Sequence, residues 1–186
     1  MLTLSDSAVV LVDVQGRLAR MIDKHQAMIQ RQQLLLKAAR ILQVPVIWAE
    51  QLPEKLGATV EELRESLEGL QPISKSSFGC LGEERLDRAI ERCGRRQIVV
   101  AGIEAHVCVY QTVQQLLDRR YQVAVAVDAI GSRHPLDYQT AVARMQTEGA
   151  IAVTVEMLLF EWMSDARHPA FRDISRLLKN AERAAD

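Results

Sequence analysis

Ile98-Val99-Val100-Ala101-Gly102-Ile103-Glu104-Ala105-His106-Val107-Cys108 reads as a buried strand that runs into a tight turn and sets a cysteine at the start of a helix. Ile98 to Ala101 are apolar and mostly β-branched, which suits a central strand covered on both faces. Gly102 permits a sharp exit. From Val109 to Leu117 apolar residues recur at helical spacing. Cys108 is thereby expected among the unpaired N–H groups of a helix start, where the dipole is positive. Such a place holds a thiol below its ordinary range and favours thiolate, which makes Cys108 a candidate nucleophile. The competing reading is a small, inert, buried hydrophobe.

Working outward, Ala8 to Val12 is a short apolar run before Asp13 and reads as a first strand. His25 to Leu42 reads as a helix, and Val44 to Trp48 as a second strand with Pro45 tolerated at its start. Gln51 to Gly57 reads as a loop, and Thr59-Val60-Glu61-Glu62 as a helix start capped by the threonine. Gln71 to Lys75 is extended, and Gly82 to Cys93 is a helix closed by Gly94. Val123 to Val127 is a buried strand ending at Asp128, Leu136 to Glu148 a helix closed by Gly149, and Ala150 to Val153 a last strand. Helices near Glu156–Trp162 and Phe171–Ala184 follow. Strands alternating with helices predict a single α/β domain over residues 1–186, with three α/β/α layers and a mostly parallel, Rossmann-like six-stranded sheet. Ligands of such sheets bind beyond the carboxyl ends of the strands. That rule selects Asp13, Glu50, Cys108 and Asp128.

The bulk numbers exclude several classes. Of 186 residues, 48% are hydrophobic and 25% charged, the pattern of a soluble globular chain. A formal net charge of -1 gives no electrostatic case for nucleic acid or an anionic membrane. No segment reaches the roughly 18–20 apolar residues that span a bilayer, and the N-terminus lacks the basic start of a signal peptide. Cys80, Cys93 and Cys108 are an odd set without metal-ligand spacing, as expected of free thiols in a reducing cytoplasm. The four histidines are scattered, so neither a metal nor another cofactor is expected. No Gly-x-Gly-x-x-Gly follows the first strand, which argues against a nucleotide or flavin.

Asp13 ends a buried strand, where a carboxylate needs a partner; it could take a proton from a thiol and return it to a leaving group. Taken alone it could equally be a turn residue. Lys75, in Ile73-Ser74-Lys75-Ser76-Ser77-Phe78, reads by itself as a surface lysine; beside Asp13 and Cys108 its ammonium would support the charged intermediate. His106 shares the turn of Cys108, so its ring need not reach the sulfur, and it reads as structural or pocket-lining. Cys80 and Cys93 read as structural.

Val10-Leu11-Val12-Asp13-Val14-Gln15, Lys75-Ser76-Ser77-Phe78 and Ala101 to Cys108 together resemble, in order, the three motifs of the isochorismatase-like cysteine hydrolase superfamily. Trp48 to Thr59 and Asp128-Ala129-Ile130-Gly131-Ser132-Arg133 look like a narrower branch, that of the isochorismatase domain-containing proteins. The resemblance implies a catalytic triad of Asp13, Lys75 and Cys108. It also implies a cis peptide between Ile103 and Glu104, with the N–H groups of Glu104 and Cys108 forming an oxyanion hole. Nicotinamidases of the superfamily carry an Asp-x-His metal cluster where this chain has Trp48-Ala49-Glu50-Gln51, so the resemblance implies no metal here. Isochorismatase itself lacks the cysteine; its presence here implies covalent chemistry on a carbonyl or nitrile-like carbon.

These readings converge on a metal-independent cysteine hydrolase that cleaves a small amide through a thioester-type intermediate. Gln15, Glu50, Gln51, Phe78, Tyr110 and Arg133 are its expected substrate-binding residues, chosen for position. The expected partners are a small-molecule substrate and further copies of the chain. Phe160, Trp162, Phe171, Leu177 and Leu178 offer apolar surface for assembly, unless they cover the domain's own sheet. The alternative is a non-catalytic or moonlighting binding protein on the hydrolase scaffold. A Cys108 alkylated no faster than free cysteine would favour that alternative.

Overall fold

The computed structural model describes residues 1–183. Six strands form one sheet: β1 (Ser7–Val12), β2 (Val46–Gln51), β3 (Ile73–Lys75), β4 (Gln97–Ile103), β5 (Gln122–Gly131) and β6 (Ile151–Val153). Their order is β3-β2-β1-β4-β5-β6, and every neighbouring pair is parallel. β1 and β4 lie in the middle, and every residue of both is buried. That explains their unbroken apolar runs, because a strand covered on both faces has no solvent side to alternate with.

The helices are α1 (Gly16–Met21), α2 (His25–Ile41), α3 (Pro53–Leu56), α4 (Glu61–Arg64), α5 (Glu84–Arg92), α6 (Tyr110–Asp118), α7 (Pro135–Thr147), α8 (Val155–Met163) and α9 (Phe171–Arg183). The twofold period of the strands divides them between two cores. Val9, Leu11, Val99, Ala101 and Ala124 face α2, α8 and α9, meeting Leu35, Ala39, Leu158 and Ile174. Val10, Val12, Ile98, Val100 and Val125 face α5, α6 and α7, meeting Leu86, Ile90, Val113, Leu116 and Met145. No helix among the described residues is long and apolar enough to cross a membrane.

Several expectations shift. Gln51–Gly57 is not all loop: Gln51 closes β2 and Pro53–Leu56 make a helical turn. Thr59 does not cap a helix; its N–H and hydroxyl both donate to Glu50, and Val60 holds the cap position of α4. β5 runs beyond Val127 to Gly131, so Asp128 lies inside a strand rather than past its end. Trp162 is buried with its indole N–H on Ser7 Oγ, and Leu178 is buried too, so they cover the domain's own sheet; Phe160 stays exposed. Ala184, placed in the last helix by its pattern, lies outside the described residues.

Gly102 lies within β4, not at its exit. Its φ is +124°, and a Cβ there would sit 2.1 Å from the carbonyl oxygen of Val12. The glycine is therefore required by the close approach of β1 at the point where the β4–β5 register shifts. Gly102→Ala is expected to destabilise the fold by about 1–3 kcal/mol, a fall in melting temperature of roughly 2–12 °C. Thermal unfolding followed by circular dichroism checks this, and an unchanged midpoint would contradict the close approach.

Candidate active site

The carboxyl ends of β3, β2, β1 and β4 lie side by side, and each supplies one group to a common centre. Asp13 follows β1, with its N–H on Ala49 O at 3.2 Å before the chain turns through φ +52°. Aspartate tolerates that left-handed conformation better than the β-branched residues around it. Gln51 and Lys75 are the last residues of β2 and β3 and pair directly in register. Cys108 sits in a single π-helical turn, Ala105–Val109, between β4 and α6. The Val107 and Val109 N–H groups donate to Glu104 O, and the Ile103–Glu104 peptide is cis.

Lys75 is fully buried, and its ammonium is surrounded by oxygen. Nζ donates to Asp13 Oδ2 at 2.6 Å, Gln51 Oε1 at 2.6 Å, Phe78 O at 2.9 Å and Ser77 O at 3.1 Å. Its pattern by itself suggests a surface residue; the parallel register of β2 and β3 carries it inward instead. Cys108 Sγ lies 4.0 Å from Gln51 Oε1. Asp13 Oδ1 is buried and has no hydrogen-bond partner among the described residues.

Burial pushes the Asp13 carboxyl above its ordinary range, opposed by the Lys75 charge and its hydrogen bond. Burial also pushes the Cys108 thiol up, and the charge of Asp13 adds to the rise while Lys75 opposes it. The expected thiolate is thus not the resting state. The favourable helix-start field is outweighed because Cys108 is only 8% exposed and sits beside a carboxylate. Slow alkylation of the resting protein therefore follows from burial whatever the protein does, and turnover must separate the two functional readings. Cys80 is buried near the same charges and its thiol is pushed up to about 12, mainly by desolvation.

The remaining expected site residues divide. Gln51 is at the centre. Phe78 is 54% exposed beside it, with its carbonyl on Lys75. Glu104 is buried, and its Oε1 accepts from Arg133 N–H at 3.2 Å and Arg133 Nε at 2.9 Å. Three other expected substrate contacts are engaged with protein groups. Gln15 is fully buried, and its amide is used on the Gln51 backbone and Gly57 O. Glu50 is buried and holds Thr59 at 2.7 Å through both N–H and hydroxyl. Tyr110 turns toward the exposed Glu148 and Arg144 on another face. Asp128 accepts from Val155 N–H and borders a cavity of about 380 Å³ with Arg31, Ser132 and Tyr138, away from the thiol.

Sequence reasoning missed Thr112, whose hydroxyl donates to Cys108 O at 2.7 Å and accepts from Cys80 N–H at 3.0 Å. Its place four residues after Cys108 in a helical run was the available signal. His106 does not face the sulfur; its Nδ1 is 2.9 Å from Ser132 Oγ. Among the described residues no group of three or more His, Cys, Asp or Glu side chains converges to hold a metal ion.

The model of the isochorismatase domain matches residues 7–157, a span that runs from β1 into α8 and contains every group of this centre. The chain belongs to the isochorismatase family. Human isochorismatase domain-containing protein 2 is 39% identical over 175 residues, covering 93% of this chain and 83% of the relative. Among solved structures, the MAR1 ribonuclease of Caenorhabditis elegans superposes with a TM-score of 0.90 at 34% identity, covering 96% of this chain and 92% of that one. YcaC of Escherichia coli, described as an octameric hydrolase of unknown specificity, shares the fold with a TM-score of 0.86 at 22% identity, covering 98% and 97%.

The Lys75–Asp13 pair is the costliest part of the site to disturb. Lys75→Met is expected to destabilise the protein by about 3–5 kcal/mol, because it strands a buried carboxylate. Asp13 has a raised folded-state pKa, so its neutral form fits the fold best at low pH, and that fit is lost as pH rises through the folded value. The deficit of Lys75→Met against the parent should therefore be larger at about pH 8 than at about pH 5. Urea unfolding at both pH values measures this, and a deficit that grows on acidification would refute it.

Proposed function

We propose that this chain is a cysteine hydrolase that cleaves the C–N bond of a small amide, with Asp13, Lys75 and Cys108 as its triad. One observation carries the reading: a buried, unpartnered carboxylate oxygen, Asp13 Oδ1, in the same buried centre as a thiol, with the other oxygen tied to an ammonium. A carboxyl whose pKa burial raises while the Lys75 charge opposes the rise suits repeated proton transfer.

In the first step the S–H bond breaks and its proton passes to Asp13 Oδ1. The sulfur electron pair forms the S–C bond, and the carbonyl π pair moves onto oxygen. The N–H groups of Glu104 and Cys108 receive that oxyanion. As it collapses the C–N bond breaks, and Asp13 returns the proton to the leaving amine. Water then gives a proton to Asp13 as its oxygen attacks the thioester carbon; on collapse the S–C bond breaks, the acid departs, and Asp13 returns the proton to the sulfur. Lys75 steadies Asp13 in both states. No step calls on a metal.

Phe78 and Arg133 supply the rim. Arg133 is fixed through Nε and its backbone N–H, which leaves its two terminal nitrogens to meet an anionic group on the substrate. A panel of small amides, with and without a carboxylate, tests both ideas. Cys108→Ala should lose at least about 10³-fold in turnover. Arg133→Gln should raise KM roughly tenfold or more for the carboxylate-bearing amides, with kcat little changed. Parent-level turnover in Cys108→Ala would sink the mechanism.

The ribonuclease name of the nematode relative offers a second reading, and an RNA belongs in the same panel. The amide reading is preferred because the Lys75 ammonium, the cation paired with Asp13, is buried with four protein acceptors and has no donor left for a phosphodiester. Three free cysteines fit a cytoplasmic protein. Exposed Phe160 and Leu136 fit a homo-oligomer. Light scattering should give a mass above that of one chain, and a monomer would remove that part of the proposal.

A further inference from the structure

On the hydrolase reading above, we propose that Gln51 is a positioning residue that keeps Cys108 protonated until substrate is seated, by presenting a fixed carbonyl oxygen to the thiol. The orientation of the amide follows from its partners. The Lys75 ammonium can only donate and Ser76 O can only accept. Gln51 therefore turns Oε1 toward Lys75 at 2.6 Å and Nε2 toward Ser76 O at 2.8 Å. The flipped amide would set its NH2 against the ammonium and its oxygen against a carbonyl. The atom 4.0 Å from Cys108 Sγ is thus the oxygen, a pure acceptor.

The backbone beneath it is also held. Gln15 Oε1 accepts from Gln51 N–H at 2.6 Å, and Gln15 Nε2 donates to Gln51 O at 3.1 Å and Gly57 O at 2.6 Å. A single buried side chain thereby pairs with the last residue of β2 as a neighbouring strand would. The carbonyl of Gln51 has little freedom to swing away from the sulfur.

Such an oxygen favours S–H, which it can accept, and opposes a thiolate, whose charge faces its lone pairs. It cannot itself take the proton at neutral pH. The proton's exit is Asp13 Oδ1, which keeps an open valence. Gln51 also shares the Lys75 ammonium with Asp13, so less of that charge falls on the sulfur. The nucleophile forms when the electron pair left by the S–H bond can enter a new S–C bond, rather than beforehand.

The test alkylates the intact parent, Gln51→Met and Gln51→Glu with iodoacetamide from about pH 6 to about pH 10, following Cys108 by mass spectrometry. Gln51→Met keeps the side-chain length and removes the oxygen. Its labelling rate at each pH should rise roughly tenfold. Gln51→Glu keeps an acceptor for Lys75 and adds negative charge, so its labelling should slow by a similar factor. On an amide turned over by the parent, both variants should lose kcat more than they change KM. Opposite displacements cannot come from general loosening, which would speed labelling in both. Coincident profiles, or faster labelling in both variants, would overturn the proposal. Full turnover in Cys108→Ala would instead remove the hydrolase reading, so the two failures are distinguishable.

Discussion

The buried pair of Lys75 and Asp13 is the constraint around which the rest of the centre is arranged. Removing an ammonium from water costs several kcal/mol even after relaxation, and one carboxylate does not fully offset it. The fold answers with three further oxygens, from Gln51, Ser77 and Phe78. Each comes from a different necessity of the backbone. β3 must end where Lys75 lies beside Gln51, and the chain must then curl at once so that the next carbonyls turn back on Nζ. Gln15, Thr59 and Glu50 hold the facing loop in place. The polar residues of this region thus serve the burial of one charge before they serve any substrate.

The same burial decides the state of the thiol. A helix start and a cation argue for thiolate, whereas desolvation and the Asp13 charge argue for the neutral form. The second pair wins because the site is closed around Cys108 and because Lys75 is committed to Asp13 and Gln51. Asp13 is raised for the same reason. Two groups whose charged forms are both disfavoured suit the passing of one proton between them, since neither holds it so firmly that the other cannot recover it.

Much of this was legible in the residue pattern. The unbroken apolar runs of β1 and β4 announced central parallel strands, and Asp13 and Cys108 stand beyond their ends, as the rule for such sheets demands. What was not legible depended on pairing between distant segments. Gln15 and Glu50 look like site residues because they flank strand ends; only the fold reveals that loop backbone consumes their valences. Tyr110 follows Cys108 by two residues, yet the π-helical turn points it to a different face. Asp128 reads as a strand end because β5 loses its apolar run before it loses its ladder to β4, whose shifted register lets the strand continue to Gly131. The role of Gly102 was misread for a related reason: its requirement is set by Val12, ninety residues earlier in the chain.

The saturation of the centre bears on specificity. Lys75, Gln51 and Gln15 spend their hydrogen-bonding groups on protein, so on the hydrolase reading a substrate would meet there chiefly a thiol, one carboxylate oxygen and the N–H groups of the 103–108 turn. Those groups meet any amide carbonyl alike. On that reading selection falls to the rim, where Phe78 presents an exposed ring and Arg133 a guanidinium braced by Glu104. Glu104 links the two levels: its backbone opens the turn that carries Cys108, and its carboxylate fixes the rim cation. On the hydrolase reading, changes at Arg133 and Phe78 alter chiefly what is admitted. On the hydrolase reading, the residues that would choose a substrate are not the residues that would react, so one such centre can serve widely different substrates.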